Sequence, residues 1–128
     1  ILSFTGKMIK RFAIQAKDPE VKAGTLSGGN LQKVLLAREL AFEPEVLMAS
    51  QPTRGLDVAA AGFVHRQFLS LREKGAAIIL ISEDLEELFA LSDRIVVMYE
   101  GRIAGETKIN DASVEDIGLL MAGAAVGA

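Results

Sequence analysis

Two stretches of the chain carry apolar residues at the spacing of an α-helix. The first covers residues 29–42, where apolar residues occupy most of the circumference of the predicted helix. We therefore expect a mostly buried helix that ends before Pro44. The second covers residues 58–74, where apolar positions follow a 3–4 spacing and Gly75 supplies a C-terminal stop. The pattern therefore predicts two helices of similar length in the first half of the chain.

Shorter apolar runs predict strands between these helices. Residues 46–49 and 77–81 are typical of strands covered on both faces, and residues 12–16 of a shorter strand. Further along, acidic residues open a helix that ends near Leu91. A strand over 93–99 then leads into the hairpin signal Glu100-Gly101. Helices alternating with strands favour parallel βαβ units, so we predict an α/β fold with a parallel sheet between helices.

Composition and charge narrow the possible functions. The 128 residues suffice for one domain or part of one, and the net charge of −3 comes with scattered basic residues, which argues against a nucleic-acid partner. The sequence has no cysteine, which excludes disulfides and thiolate metal sites and fits a cytoplasmic location. Its first residue is Ile1 rather than Met, so we expect a piece cut from a longer protein.

The segment before the first predicted helix has the chemistry of an anion site. Ser27 is followed by Gly28 and Gly29, so a hydroxyl and two unhindered backbone amides stand where a helix begins. Unpaired N–H groups and the helix dipole both favour negative charge at such a position. The alternative is a plain serine N-cap followed by flexible glycines. The residues alone leave both interpretations open.

The whole segment, Leu26-Ser27-Gly28-Gly29-Asn30 followed by Gln32 and Lys33, resembles the signature motif of ABC ATPases. This form is similar to the second nucleotide-binding domain of importers for simple sugars and nucleosides. The resemblance implies that Ser27, Gly28, Gly29 and Asn30 contact the phosphates of an ATP molecule held by the opposite domain.

Two later segments resemble the Walker B strand and the switch of the same family, with altered residues. Ser50 and Gln51 stand where the family usually has Asp and Glu, and Glu83 replaces a His. Gln cannot accept a proton from water as a carboxylate does, and an ionised Glu repels a phosphate. We therefore expect a degenerate site, with neither a catalytic residue nor a metal ligand. By resemblance, Asp57 is the D-loop aspartate that reaches across a dimer, although it could instead only cap the next helix.

The order of these motifs predicts the organisation of the chain. We expect a signature helix at about 27–42, a core of Walker B, D-loop and switch at about 44–106, and a C-terminal helix and tail at about 107–128, the tail frayed from residue 122. The sequence contains no Gly-x-x-x-x-Gly-Lys-Ser/Thr phosphate loop. The predicted fold is thus a partial P-loop NTPase (RecA-like) sheet that lacks the Walker A half.

The resemblance also implies cofactors and partners. The full-length parent would use ATP and Mg²⁺, whereas the fragment alone is expected to bind neither. The expected partners are the N-terminal nucleotide-binding half of the same parent or a second copy, together with permease subunits that hold it at the inner face of the cell membrane. Bare sheet edges predict a homo-oligomer or a domain-swapped dimer. The alternatives are an ABC ATPase of a soluble, non-transport system and a non-ABC α/β binding module.

Overall fold

A computed structural model of the protein describes residues 2–124, which form two compact units divided after Ile81. The frayed tail predicted from residue 122 falls largely on residues 125–128, and these, with Ile1, lie outside the described residues. Within residues 2–124, none of the helices has both the length and the apolar character needed to cross a membrane.

The first unit alternates helices and strands. Its elements are α1 (Leu2–Arg11), a short 3₁₀ helix (Ala23–Thr25), α2 (Gly28–Leu40), β1 (Val46–Ser50), α3 (Val58–Glu73) and β2 (Ala77–Ile81). The predicted helices and strands after residue 27 are found within two residues of their expected ends. Helix α1 was not predicted, because no capping residue precedes it in the sequence, although its apolar residues gather on one face.

Strands β1 and β2 pair in parallel, with Val46 opposite Ala77 and Ser50 opposite Ile81. The prediction that both strands are buried on both faces is wrong. Leu47 faces the interior, but on the other face Met48 is 66% exposed and its neighbour Ile79 is 48% exposed. Helix α3 packs against β2. In the first unit, the apolar face of the sheet that carries Met48 and Ile79 stays exposed.

Residues 12–16 do not form the predicted strand. The chain leaves α1 in a turn in which the N–H of Phe12 donates to the carbonyl of Met8, and Ala13 has a φ of +49°. Lys33 Nζ donates to the carbonyl of Ala13 at 3.0 Å, and the N–H of Gln15 donates to Asn30 Oδ1 at 2.8 Å. Helix α2 thus binds the backbone groups that a strand would offer to a neighbouring strand.

The core of the first unit lies between these helices and the sheet. Its buried apolar side chains are Phe12, Ile14, Leu36, Ala37, Leu40, Leu47, Val64, Phe68 and Leu71. Phe12 is fully buried and meets the ring of Phe63 edge-on at 6.1 Å between centroids. Helix α2 buries only one face, since Leu31 and Leu35 are more than a third exposed. The expectation of a mostly buried α2 is therefore wrong.

An exposed ion pair joins the chain just after α2 to the C-terminal end of α3. Lys74 Nζ donates to Glu43 Oε1, and this hydrogen bond and the lysine charge lower the pKa of the Glu43 carboxyl. Because the pKa is lowered, the stabilisation is present above the ordinary pKa of glutamate and is lost as the pH falls through the lowered value. Solvent screening keeps this contribution small.

The second unit contains α4 (Leu85–Leu91), β3 (Arg94–Tyr99), β4 (Arg102–Lys108), a 3₁₀ helix (Ile109–Asp111) and α5 (Val114–Met121). The antiparallel β3–β4 pair turns at Glu100-Gly101, which confirms the predicted hairpin. Helix α5 packs on this hairpin, where Ile117 joins Ile95 and Val97 in a buried cluster. Asp84 caps α4, but Glu87 in its first turn is only 3% exposed, so this acidic helix start is not fully solvated.

Candidate functional site

Ser27 stands at the N-terminus of α2 with its side chain exposed. Its Oγ accepts hydrogen bonds from the backbone N–H of Asn30 at 3.4 Å and from Asn30 Nδ2 at 3.0 Å. At Gly28 an added Cβ would meet no atom within 4 Å, so the backbone here is open to solvent. The first turn of a helix directs its N–H groups out of the helix end, so this loop presents donors to an incoming anion.

Helix α3 begins beside this loop. An added Cβ on Gly29 would lie 3.7 Å from the Cβ of Ala60, which places the first turns of α2 and α3 in contact. Asp57 caps α3 by accepting a hydrogen bond from the N–H of Ala60 at 2.8 Å. The first turn of α3 thus contacts the loop at Gly29, and the structure shows the local capping role of Asp57. Its reach across a dimer stays a prediction.

The end of β1 is tied to both neighbouring elements. The N–H of Gln51 donates to the carbonyl of Ile81 at 2.7 Å, and this bond accompanies a left-handed φ of +49° at Gln51. Gln32 on α2 donates through Nε2 to the carbonyl of Pro52 at 2.8 Å. The side chain of Gln32 therefore fixes the distance between the loop before α2 and the loop after β1. Sequence reasoning had given Gln32 no such role.

The residues at the end of β1 do not fit a magnesium site. Ser50, which is exposed, offers a hydroxyl and Gln51 an amide, whereas Mg²⁺ is usually bound through one or two carboxylates. Among residues 2–124, no three His, Cys, Asp or Glu side chains gather in a group that could hold a metal ion.

Glu83 belongs to the second unit and lies in the bend before α4. Its side chain is exposed, and the bend is fixed by the N–H of Asp84, which donates to Ser82 Oγ at 3.0 Å. An exposed carboxylate here offers only acceptors to a phosphate. The expected loss of the histidine's donor function at this position stays a prediction.

Known proteins similar to this chain are ATP-binding subunits of importers. No family model matches it. It is 51% identical over 104 residues to the glucose import ATP-binding protein TsgD13 of Haloferax volcanii, covering 81% of this chain and 19% of that protein. It is 44% identical over 116 residues to the guanosine import ATP-binding protein NupO of Bacillus subtilis, covering 91% and 23%. The chain thus spans about a fifth to a quarter of these curated relatives.

Solved structures agree on the fold. A dimeric ATP-binding cassette in a post-hydrolysis state with ADP and phosphate superimposes with a TM-score of 0.73 at 25% identity, covering 84% of this chain and 46% of that one. An ATP-binding subunit of an ABC transporter gives a TM-score of 0.78 at 19% identity, covering 94% and 55%.

These likenesses define the class of protein: the chain has the α/β fold of part of an ABC ATPase cassette, with a parallel sheet and flanking helices. More narrowly, it is a homologue of the ATP-binding proteins of sugar and nucleoside importers. The predicted α/β fold class and the predicted family are both confirmed, while the lack of the Walker A half stays a prediction. The position of the chain as the second domain of its parent stays a prediction.

Proposed function

We propose that this chain is part of a nucleotide-binding domain in an ABC importer ATPase and that it supplies the signature loop to an ATP site completed by another domain. The observation that carries the proposal is the exposed Ser27 hydroxyl beside Gly28 at the N-terminus of α2. The homologues are importer ATP-binding proteins, and one of the similar cassettes is a dimer with ADP and phosphate.

The loop can bind a phosphate without any charged side chain. The hydroxyl hydrogen of Ser27 and the N–H groups of the first turn of α2 are donors, and the helix dipole adds a partial positive charge. Because Gly28 has no side chain, a phosphate oxygen can approach the backbone closely. Hydrogen-bond donors that are already in position stabilise the negative charge that develops on the phosphoryl group during transfer. Gly29 and Asn30 complete this loop, and Asp57 caps the adjoining helix α3.

The chain's own site would be weak. Ser50, Gln51 and Glu83 replace the carboxylates and the histidine that the family resemblance places at these positions. In this proposal, the Walker A loop and the carboxylates that hold Mg²⁺ and activate water are supplied by the other half of the composite site. This chain contributes the signature, and ATP closes the interface between the halves.

The proposed assembly follows from this division of roles. The domain would comprise a signature helix, a core of Walker B, D-loop and switch, and a C-terminal helix at the boundaries given above. Its partner is the N-terminal nucleotide-binding half of the same parent or a second copy. Permease subunits hold it at the inner face of the membrane, and the solute is a simple sugar or a nucleoside. The open apolar face and the edges of β1–β2 favour self-association of the isolated chain.

ATP hydrolysis by the full-length parent tests the proposal. We expect Ser27→Ala to lower kcat about 100-fold or more. The substitution removes one of the hydrogen-bond donors that stabilise the negative charge developing on the phosphoryl group. A double variant, Ser50→Asp with Gln51→Glu, should change the rate by less than about threefold, because a second working site also requires the switch histidine.

The matched control is Ser70→Ala, which removes an exposed hydroxyl from the surface of α3. This variant should hydrolyse ATP at the parental rate. If Ser27→Ala retained the parental rate as well, the signature role would be wrong and Ser27 would be an ordinary helix cap.

A further inference from the structure

Asn30 provides both of the hydrogen bonds that Ser27 Oγ accepts. One comes from the Asn30 backbone N–H at 3.4 Å and the other from Asn30 Nδ2 at 3.0 Å. A serine hydroxyl has two acceptor positions and one hydrogen to donate. With both acceptor positions filled from the helix side, the remaining hydrogen points away from Asn30. Because the Ser27 side chain is exposed, that direction leads out of the protein.

The orientation of the Asn30 side chain is fixed at its other end. Its Oδ1 accepts a hydrogen bond from the backbone N–H of Gln15 at 2.8 Å. An N–H group can only donate, so the amide oxygen must face Gln15 and the amide NH₂ must face Ser27. A flipped amide would set the Asn30 NH₂ against the Gln15 N–H, which places two donors against each other.

The segment that carries Gln15 is itself held firmly. Phe12 is fully buried, and Lys33 Nζ donates to the carbonyl of Ala13 at 3.0 Å while lying 5.2 Å from the centre of the Phe63 ring. The positively charged Lys33 therefore contacts both the segment and an aromatic face of α3. Gln15 itself is exposed, but the segment that carries it is anchored by the buried Phe12 and by Lys33.

We propose that Asn30 is a positioning residue that turns the Ser27 hydroxyl into a dedicated hydrogen-bond donor. This inference rests on the proposed function, in which that donor meets a phosphate of the nucleotide held by the other domain. It also assigns the Asn30 side chain to Ser27 and Gln15 in place of the direct phosphate contact implied by the family resemblance. Without Asn30, the Ser27 hydrogen is free to turn inward and the site loses a preorganised donor.

A double-mutant cycle in the full-length parent tests this role. Asn30→Ala should lower kcat for ATP hydrolysis about fivefold to tenfold when Ser27 is present, with a smaller change in KM. In a Ser27→Ala background the same change should lower kcat less than twofold, because the hydroxyl that Asn30 orients is already gone.

The substitution Asn30→Asp allows a second double-mutant cycle in which the hydrogen bond to the Gln15 N–H is kept. One carboxylate oxygen still accepts from the Gln15 N–H, while the other replaces the donor facing Ser27 with an acceptor. The Ser27 hydrogen then turns inward, so Asn30→Asp should cost at least about fivefold more in the Ser27 background than in the Ser27→Ala background. The added negative charge acts in both backgrounds and cancels in the cycle.

Asn110→Ala, an exposed amide in the second unit, is the matched control and should leave kcat unchanged. Equal effects of the Asn30 variants in both backgrounds would overturn the positioning role while leaving the proposed function intact, provided that Ser27→Ala alone is slow. If Ser27→Ala hydrolysed ATP normally, both the positioning role and the proposed function would be wrong.

Discussion

Replacing Gly28 by valine is expected to lower ATP hydrolysis by the full-length parent about 100-fold or more without disturbing the fold. An added Cβ meets no atom within 4 Å, and valine has a higher helix propensity than glycine, so α2 should form normally. The branched side chain instead occupies the space through which a phosphate oxygen approaches the first-turn amides. The measurement is steady-state hydrolysis with circular dichroism as the check on folding.

Gly24→Val is the control for this substitution. Gly24 lies in the short 3₁₀ helix before the signature loop, and an added Cβ there also meets nothing within 4 Å. It should leave hydrolysis unchanged to within about twofold, since surface changes away from a site have small effects. Parental activity in Gly28→Val would mean that no ligand approaches this turn.

Replacing Phe12 by alanine should lower the free energy of unfolding of the 128-residue chain by about 3–5 kcal/mol. Its ring is fully buried and packs edge-on against Phe63, so truncation leaves a cavity and removes an aromatic contact. Since Phe12 begins the segment that holds Asn30 and Lys33, the loss should also loosen the signature loop. Urea denaturation followed by circular dichroism measures the change.

Phe42→Ala is the matched control, because that ring is 85% exposed just after α2. Its effect on the free energy of unfolding should stay within about 0.5 kcal/mol. Similar losses in the two variants would show that Phe12 does not lie in the core of the folded chain.

Local signals were sufficient to predict much of the fold. Helix α3 has a capping aspartate, a clear apolar stripe and a glycine just after its C-terminal cap, and it begins and ends within a residue of the predicted positions. The β3–β4 hairpin followed from Glu100-Gly101 between two strands, a signal that acts over only a few residues. These elements depend on their own sequence more than on distant partners.

Contacts between distant residues explain what the sequence did not predict. The β-like pattern of residues 12–16 gives way to a turn because Asn30 and Lys33 bind its backbone from a helix that begins twelve residues later. The bond from Gln32 to the Pro52 carbonyl joins positions twenty residues apart. Neither contact leaves a periodic trace in the sequence. Likewise, the apolar residues of a strand indicate that the strand is buried in a sheet, but they do not show which face of the sheet is covered by other elements of this chain.

The central claim is that Ser27 and its neighbours touch a nucleotide, and photo-crosslinking tests it most directly. The full-length parent would be labelled with an ATP analogue that carries a photoreactive group on its γ-phosphate, then digested with trypsin. The account predicts adducts in the peptide released between Lys22 and Lys33, which contains residues 27–30, with loss of those adducts in Gly28→Val but not in Gly24→Val. Labelling of the parent elsewhere, with that peptide unmodified, would contradict the account.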